Sequence, residues 1–112
     1  MDIGSCQRDC VTVITIVGDI DGKSAPEVQA RVLDIVQQAG AFLLDLSGVA
    51  YMSSAGLRML LSVYRQAAGL EAQIALAGVC EDLQETMSAT GFLKFFTLYE
   101  SVEEVQAELW AG

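Results

Sequence analysis

The run Ala41-Phe42-Leu43-Leu44-Asp45-Leu46 is the feature that most narrows the fold, because it is short, apolar and broken only by Asp45. That is the pattern of a strand buried on both faces, which belongs in the interior of a sheet covered by helices. The rest of the chain alternates around it. Residues 10–17 are rich in β-branched side chains and read as a strand. A possible shorter strand at 1–5 would pair with it through a turn at Gln7-Arg8-Asp9. Ser24-Ala25-Pro26-Glu27 is a helix start, with a capping serine, a proline suited to the first turn and a carboxylate facing the dipole. Val28, Val32, Ile35 and Val36 continue that helix for about four turns, up to Gly40. Helices over 55–68, 81–90 and 102–109 and strands over 73–77 and 95–99 complete the series. The expected fold class is therefore α/β, a single domain over 1–112 with four or five strands, parallel in the centre and antiparallel at the N-terminal hairpin.

With 53% apolar residues, 112 residues can bury a core without staples. The longest apolar run is far short of a bilayer span, and Met1-Asp2-Ile3-Gly4 has no basic region. No membrane insertion and no signal peptide are expected, and the cytoplasm is the expected location. Fifteen acidic against six basic residues give a net charge of −9, which argues against nucleic acid and for attraction to a basic protein surface. Cys6, Cys10 and Cys80, an odd number with no histidine in the chain, read as reduced structural thiols rather than a metal site or a disulfide framework.

The loops after the first two central strands, 18–23 and 48–53, open at one end of such a sheet and bring Asp19, Asp21 and Ser54 toward one surface. Gly18-Asp19-Ile20-Asp21-Gly22-Lys23-Ser24 approaches a phosphate-binding loop but has three residues between its glycines where four are needed, two of them acidic. Asp19-Ile20-Asp21-Gly22 after a strand also resembles the opening motif of haloacid-dehalogenase-type phosphatases, in which aspartates act as nucleophile and acid/base around magnesium. The later lysine and paired aspartates that such a site needs are missing. The plain reading of Asp19 and Asp21 is a solvated turn in which Asp21 or Ser24 helps cap the next helix.

The stretch Asp45-Leu46-Ser47-Gly48-Val49-Ala50-Tyr51-Met52-Ser53-Ser54-Ala55-Gly56-Leu57 runs from a strand through two serines into a helix. This stretch resembles the signature of the anti-sigma factor antagonist family (STAS domain), in which a Ser-x-Gly-Leu turn opens the phosphoacceptor helix. Gly18-Asp19-Ile20-Asp21 and Ser88-Ala89-Thr90-Gly91-Phe92 match that family's early acidic turn and late helix-to-strand turn, so the resemblance covers nearly the whole chain. It implies phosphorylation at Ser54, with Asp21, Asp19, Asp45, Ser53 and Gly56 shaping the site. Ser53 stands where the family often has aspartate, and Ala55 where it often has a second hydroxyl. From the residues alone, Ser54 is an ordinary N-cap and Asp45 a carboxylate satisfied by loop N–H groups.

The resemblance further implies a non-enzymatic switch that binds an anti-sigma factor serine kinase and releases the sigma factor. A serine phosphatase would restore binding, and no cofactor belongs to the chain itself. The same domain also serves as a constitutive interaction subunit in stress-signalling, transporter and lipid-export assemblies, which is the alternative. On the helix after Ser54, Leu57, Leu60, Leu61 and Tyr64 cluster on one face and Ala55, Met59 and Val63 on nearly the other. The second face either lies under a neighbouring helix or is an exposed apolar strip for a partner.

Overall fold

A computed structural model describes residues 2–8, 11–37, 40–91 and 96–100. Its five strands are β1 (Asp2–Arg8), β2 (Val11–Val17), β3 (Gly40–Gly48), β4 (Ala72–Ala77) and β5 (Thr97–Tyr99). They lie side by side in chain order, with β1 antiparallel to β2 and every other neighbouring pair parallel. The connecting helices are α1 (Ala25–Ile35), α2 (Ser54–Gly69) and α3 (Glu81–Ala89). The expected α/β architecture is therefore present, with three helices among the described residues. The helix expected at 102–109, Cys10 and Phe95 lie outside the described residues.

Successive parallel strands in sequence order, joined by crossovers of one hand, place their helices on one face of the sheet. The side-chain alternation agrees. Ile14, Ile16, Phe42, Leu44, Leu46, Ile74 and Leu76 share a core with Val28 and Val32 of α1, Leu57 and Leu60 of α2, and Leu83 and Met87 of α3. The intervening residues Val11, Val13, Leu43, Ala75 and Ala77 form a second buried cluster on the opposite face. Burial on both faces explains why β3 is nearly unbroken in its apolar pattern.

β5 starts at Thr97, so Phe96, expected in the strand, lies before the ladder. Three other boundaries differ from the sequence reading, each for a physical reason. β1 runs on to Arg8, with Gln7 opposite Thr12 and Arg8 opposite Val11, so the expected turn residues Gln7 and Arg8 are strand. An edge strand with little core contact leaves most of its side chains in water and hides its pairing in a polar sequence. α1 stops at Ile35, and Val36, although buried, has left the helical conformation with ψ 83°. Burial carries the apolar period past the helix end. β3 extends to Gly48 because Val17 still pairs there after an irregularity in the ladder between Thr15 and Val17. No helix among the described residues is long and apolar enough to cross a membrane.

Candidate functional site

The site is built where the segments following β2 and β3 run side by side. Gly18 adopts φ +126°, a conformation open to glycine and strained for other residues, and its N–H donates to the Gly48 carbonyl at 3.0 Å. Beyond that turn, the Ile20 N–H donates to the Tyr51 carbonyl at 2.9 Å and the Ser53 N–H to the Ile20 carbonyl at 2.8 Å, forming a parallel bridge between Ile20 and Met52. Ile20 and Met52 are buried and anchor the two loops to the core, while Asp19 is exposed and Asp21 half-buried.

Asp21 is committed to its own turn. Its Oδ1 accepts from the Lys23 N–H at 2.9 Å, the Ser24 N–H at 3.0 Å and lies 3.2 Å from the Ser24 hydroxyl. The Ser24 and Lys23 amides hold its carboxyl below the usual carboxylate range. Ser24 accepts in return from the Asp21 N–H at 2.9 Å and lies 2.9 Å from the Asp19 carbonyl, so its side chain makes no cap bond to α1. The Asp21 carbonyl takes the Ala25 N–H at 2.8 Å. The amides that a phosphate loop would aim at an anion are here spent on Asp21 itself. Among the described residues, no three or more His, Cys, Asp or Glu side chains group in a way that could hold a metal.

At the start of α2 the two serines divide their roles. Ser53, in extended conformation, is the N-cap, its Oγ accepting from the Gly56 N–H at a long 3.4 Å and its carbonyl from the Leu57 N–H at 3.0 Å. Ser54 is the first helical residue and is exposed. The cap role expected of Ser54 therefore falls to Ser53, which leaves the Ser54 hydroxyl outward at a helix end whose first amides lack intrahelical partners. Gly56 explains the glycine of the motif. A Cβ there would lie 2.5 Å from Met52 Cγ and 2.9 Å from Ile20 Cγ2, so only glycine lets the first turn of α2 press onto the Ile20–Met52 bridge without displacement.

Asp45 is placed differently from the other acids. It pairs with Thr15 and Ala77 in the sheet, on the face of Leu43 rather than that of Leu44 and Leu46 where the helices pack. Its Oδ1 accepts from the Ser47 N–H at 3.1 Å and hydroxyl at 2.8 Å. It shapes the exit of β3 and does not reach across to the helix face.

The exposed apolar strip is corrected by burial. Met59 and Val63 are 4% and 1% exposed and belong to the main core, and Ala55 is half-buried. Met59 and Ala55 border a groove of about 230 Å³ whose other wall is Gly22, Ala25, Pro26 and Gln29, so α1 covers that side. On the other side Tyr64 meets Phe96 edge-on, ring centroids 5.5 Å apart. As the middle crossover, α2 is flanked on both sides and buries one broad arc instead of two narrow faces. What the sequence reading missed is on the remaining arc: Arg58 and Arg65 are exposed, and no acidic residue occurs anywhere in α2.

A family model for the STAS domain matches residues 5–105. BtrV of Bordetella bronchiseptica, a candidate anti-sigma factor antagonist, is 27% identical over 100 residues, covering 88% of this chain and 86% of that protein. The anti-sigma factor antagonist SpoIIAA of Bacillus shares the fold in two solved forms. Its unphosphorylated form has a TM-score of 0.79 at 13% identity, covering 99% of this chain and 98% of that one. Its phosphorylated form has a TM-score of 0.71 at 14% identity, covering 96% and 99%. The murine anion transporter Slc26a9 contains the same fold, with a TM-score of 0.84 at 16% identity over 95% of this chain and 19% of the transporter. The match to the family model over nearly the whole length, on a fold whose sheet order and loop pair are those described, makes this chain a member of the STAS domain family.

Proposed function

We propose that the chain is an anti-sigma factor antagonist, a non-enzymatic module that binds an anti-sigma factor serine kinase so that the sigma factor is released. Ser54 is the phosphoacceptor. The observation that carries this reading is the division of labour at α2: Ser53 takes the cap, and Ser54 stands exposed on the first helical residue. In the modification the γ-phosphoryl group of ATP moves to Ser54 Oγ, the bond to the β-phosphate bridging oxygen breaks, ADP leaves and the hydroxyl proton passes to a kinase base. Hydrolysis by a separate serine phosphatase returns the hydroxyl and inorganic phosphate. Family membership and the BtrV match support the partner class, and phosphorylated SpoIIAA supports a phosphate on this fold.

The phosphate adds about −1.5 to −2 charge beside the loop that carries Asp19 and Asp21. A dianion forced into an interface that fitted a hydroxyl costs about 2–4 kcal/mol, or thirty- to a thousandfold in affinity. The test is co-purification from the native cell followed by intact mass and peptide mapping. An anti-sigma factor and a single phosphate at Ser54 are expected, with Ser54→Ala losing the phosphate and keeping the partner. A phosphate on Ser53, or equal affinity of the modified and unmodified forms, overturns the switch. The Slc26a9 match favours a second reading, a constitutive interaction module, in which Ser54 stays unmodified in the recovered complex.

A further inference from the structure

α2 keeps one outward stripe after its broad face has been buried. At about 100° per residue, Ser54, Arg58, Leu61 and Arg65 fall within about 60° of one another around the helix. Ser54, Arg58 and Arg65 are exposed and Leu61 is half-buried. Arg58, Leu61, Ser62, Arg65 and Gln66 line a shallow groove of about 450 Å³ along that face.

The charge of this stripe runs against the rest of the molecule. α2 contains two arginines and no carboxylate in a chain of net charge −9. Neither arginine has an ion-pair partner among the described residues. No acid lies three or four residues away on the helix to support them, and neither stands in the last turn, where the helix dipole would favour a cation. Helix pairing and the dipole therefore account for neither arginine.

We propose that this stripe docks an acidic segment of a partner protein, whose carboxylates pair with Arg58 and Arg65 around an apolar side chain seated on Leu61. The arginines are seven residues apart, about 10.5 Å along the helix, which matches two carboxylates one heptad apart on a partner helix. Charge complementarity selects an acidic occupant at short range, since the repulsion from the rest of the chain is screened beyond about 8–10 Å in physiological salt. A nucleic acid offers the same sign of charge but extends far past the stripe over a chain of net charge −9. The proposal also deepens the switch described above and rests on it in one respect. A phosphate on Ser54 lies four residues before Arg58 and competes with the partner for that guanidinium.

The probe is a synthetic helical peptide with two glutamates seven residues apart and a leucine between them, titrated into the isotopically labelled full chain at low salt. Amide shifts confined to the outward face of α2 are expected. Affinity should fall about tenfold or more in Arg58→Gln and in Arg65→Gln, the scale for losing a charged hydrogen bond, and vanish when the peptide glutamates become glutamines. Absence of shifts on α2, equal affinity for Arg65→Gln, or preferential binding of a single-stranded oligonucleotide of equal charge overturns the docking surface. With phosphoserine installed at position 54 during translation, peptide affinity should also fall about tenfold, and unchanged affinity overturns the competition for Arg58. No kinase enters this experiment. Failure of a kinase to modify Ser54 therefore overturns the switch alone, and failure of the peptide overturns the docking surface alone.

Discussion

Gly56→Ala isolates the contact that fastens the motif helix to the loop pair. The added methyl would sit 2.5 Å from Met52 Cγ, 2.9 Å from Ile20 Cγ2 and 3.2 Å from the Ile20 carbonyl oxygen. The two side chains are buried, and the carbonyl is held by its bond from the Ser53 N–H, so each must move within the core. Overpacking costs about 1–3 kcal/mol, and an approach of 2.5 Å in a buried site belongs to the upper part of that range, about 2–3 kcal/mol, while alanine in place of glycine inside a helix returns about 1 kcal/mol. The net expectation is a loss of about 1–2 kcal/mol, a fall in melting temperature of about 4–8 °C for a domain of this size. Gly69→Ala is the control, because it lies in the same helix and nothing approaches within 4 Å of its added methyl. It should gain about 0.4–1 kcal/mol. Thermal and urea unfolding measure both variants. A Gly56→Ala protein as stable as the parent would show that the Ile20–Met52 bridge does not constrain the start of α2, and the account of the glycine in the motif would fall.

Met59→Glu places a carboxylate at a site 4% exposed, and a cost of about 3–5 kcal/mol from an unpaired buried charge should appear as loss of the folded state in circular dichroism rather than as weaker binding alone. Ser53→Ala removes a cap whose bond is long, so a loss of about 0.5–1 kcal/mol in urea unfolding is expected, with Ser54 still modifiable; complete loss of the phosphate from a folded protein would count against the assignment. The Asp21 carboxyl is held below its ordinary range in the folded state, so its contribution is complete above the unfolded value of about 3.9 and disappears as pH falls through the lower folded value. Asp21→Asn should therefore lower the urea midpoint at neutral pH and match the parent in strong acid; an equal deficit at both pH values would assign the effect to packing.

Much of the fold could be read from particular residues. The apolar run from Ala41 to Leu46 identified the central strand because both its faces are in fact covered, by the helix core and by the second cluster. Ser24 and Pro26 located the start of α1, since a proline in the first turn and a preceding serine leave little other choice. Ends were harder. Val36 continues the helical period because it is buried, although the helix has stopped, and Gln7 and Arg8 look like turn residues because β1 is an edge strand with most of its side chains in water. Periodicity reports burial, and burial and hydrogen bonding part company at the ends of elements.

The site was legible where topology dictated it and illegible where packing did. Parallel strands with a common direction bring the segments after β2 and β3 to one edge, so the approach of Asp19, Asp21 and the α2 terminus followed from strand order. A helical wheel could not tell that α2 is flanked on both sides, which turned Met59 and Val63 from a surface into core. The overall charge conceals a local exception. A net charge of −9 points to a basic partner surface, and the absence of any acid between Ser54 and Gly69, also visible in the sequence, marks α2 as the helix of reversed sign among the described residues. With Ile20 and Met52 clamped between the loops, Gly56 pressed against them and Asp21 tied to its own turn, the ground beneath Ser54 is held by interactions that a surface phosphate does not touch. On the proposed switch, such a modification would have little purchase on the fold and would act outward along the stripe that Arg58 shares.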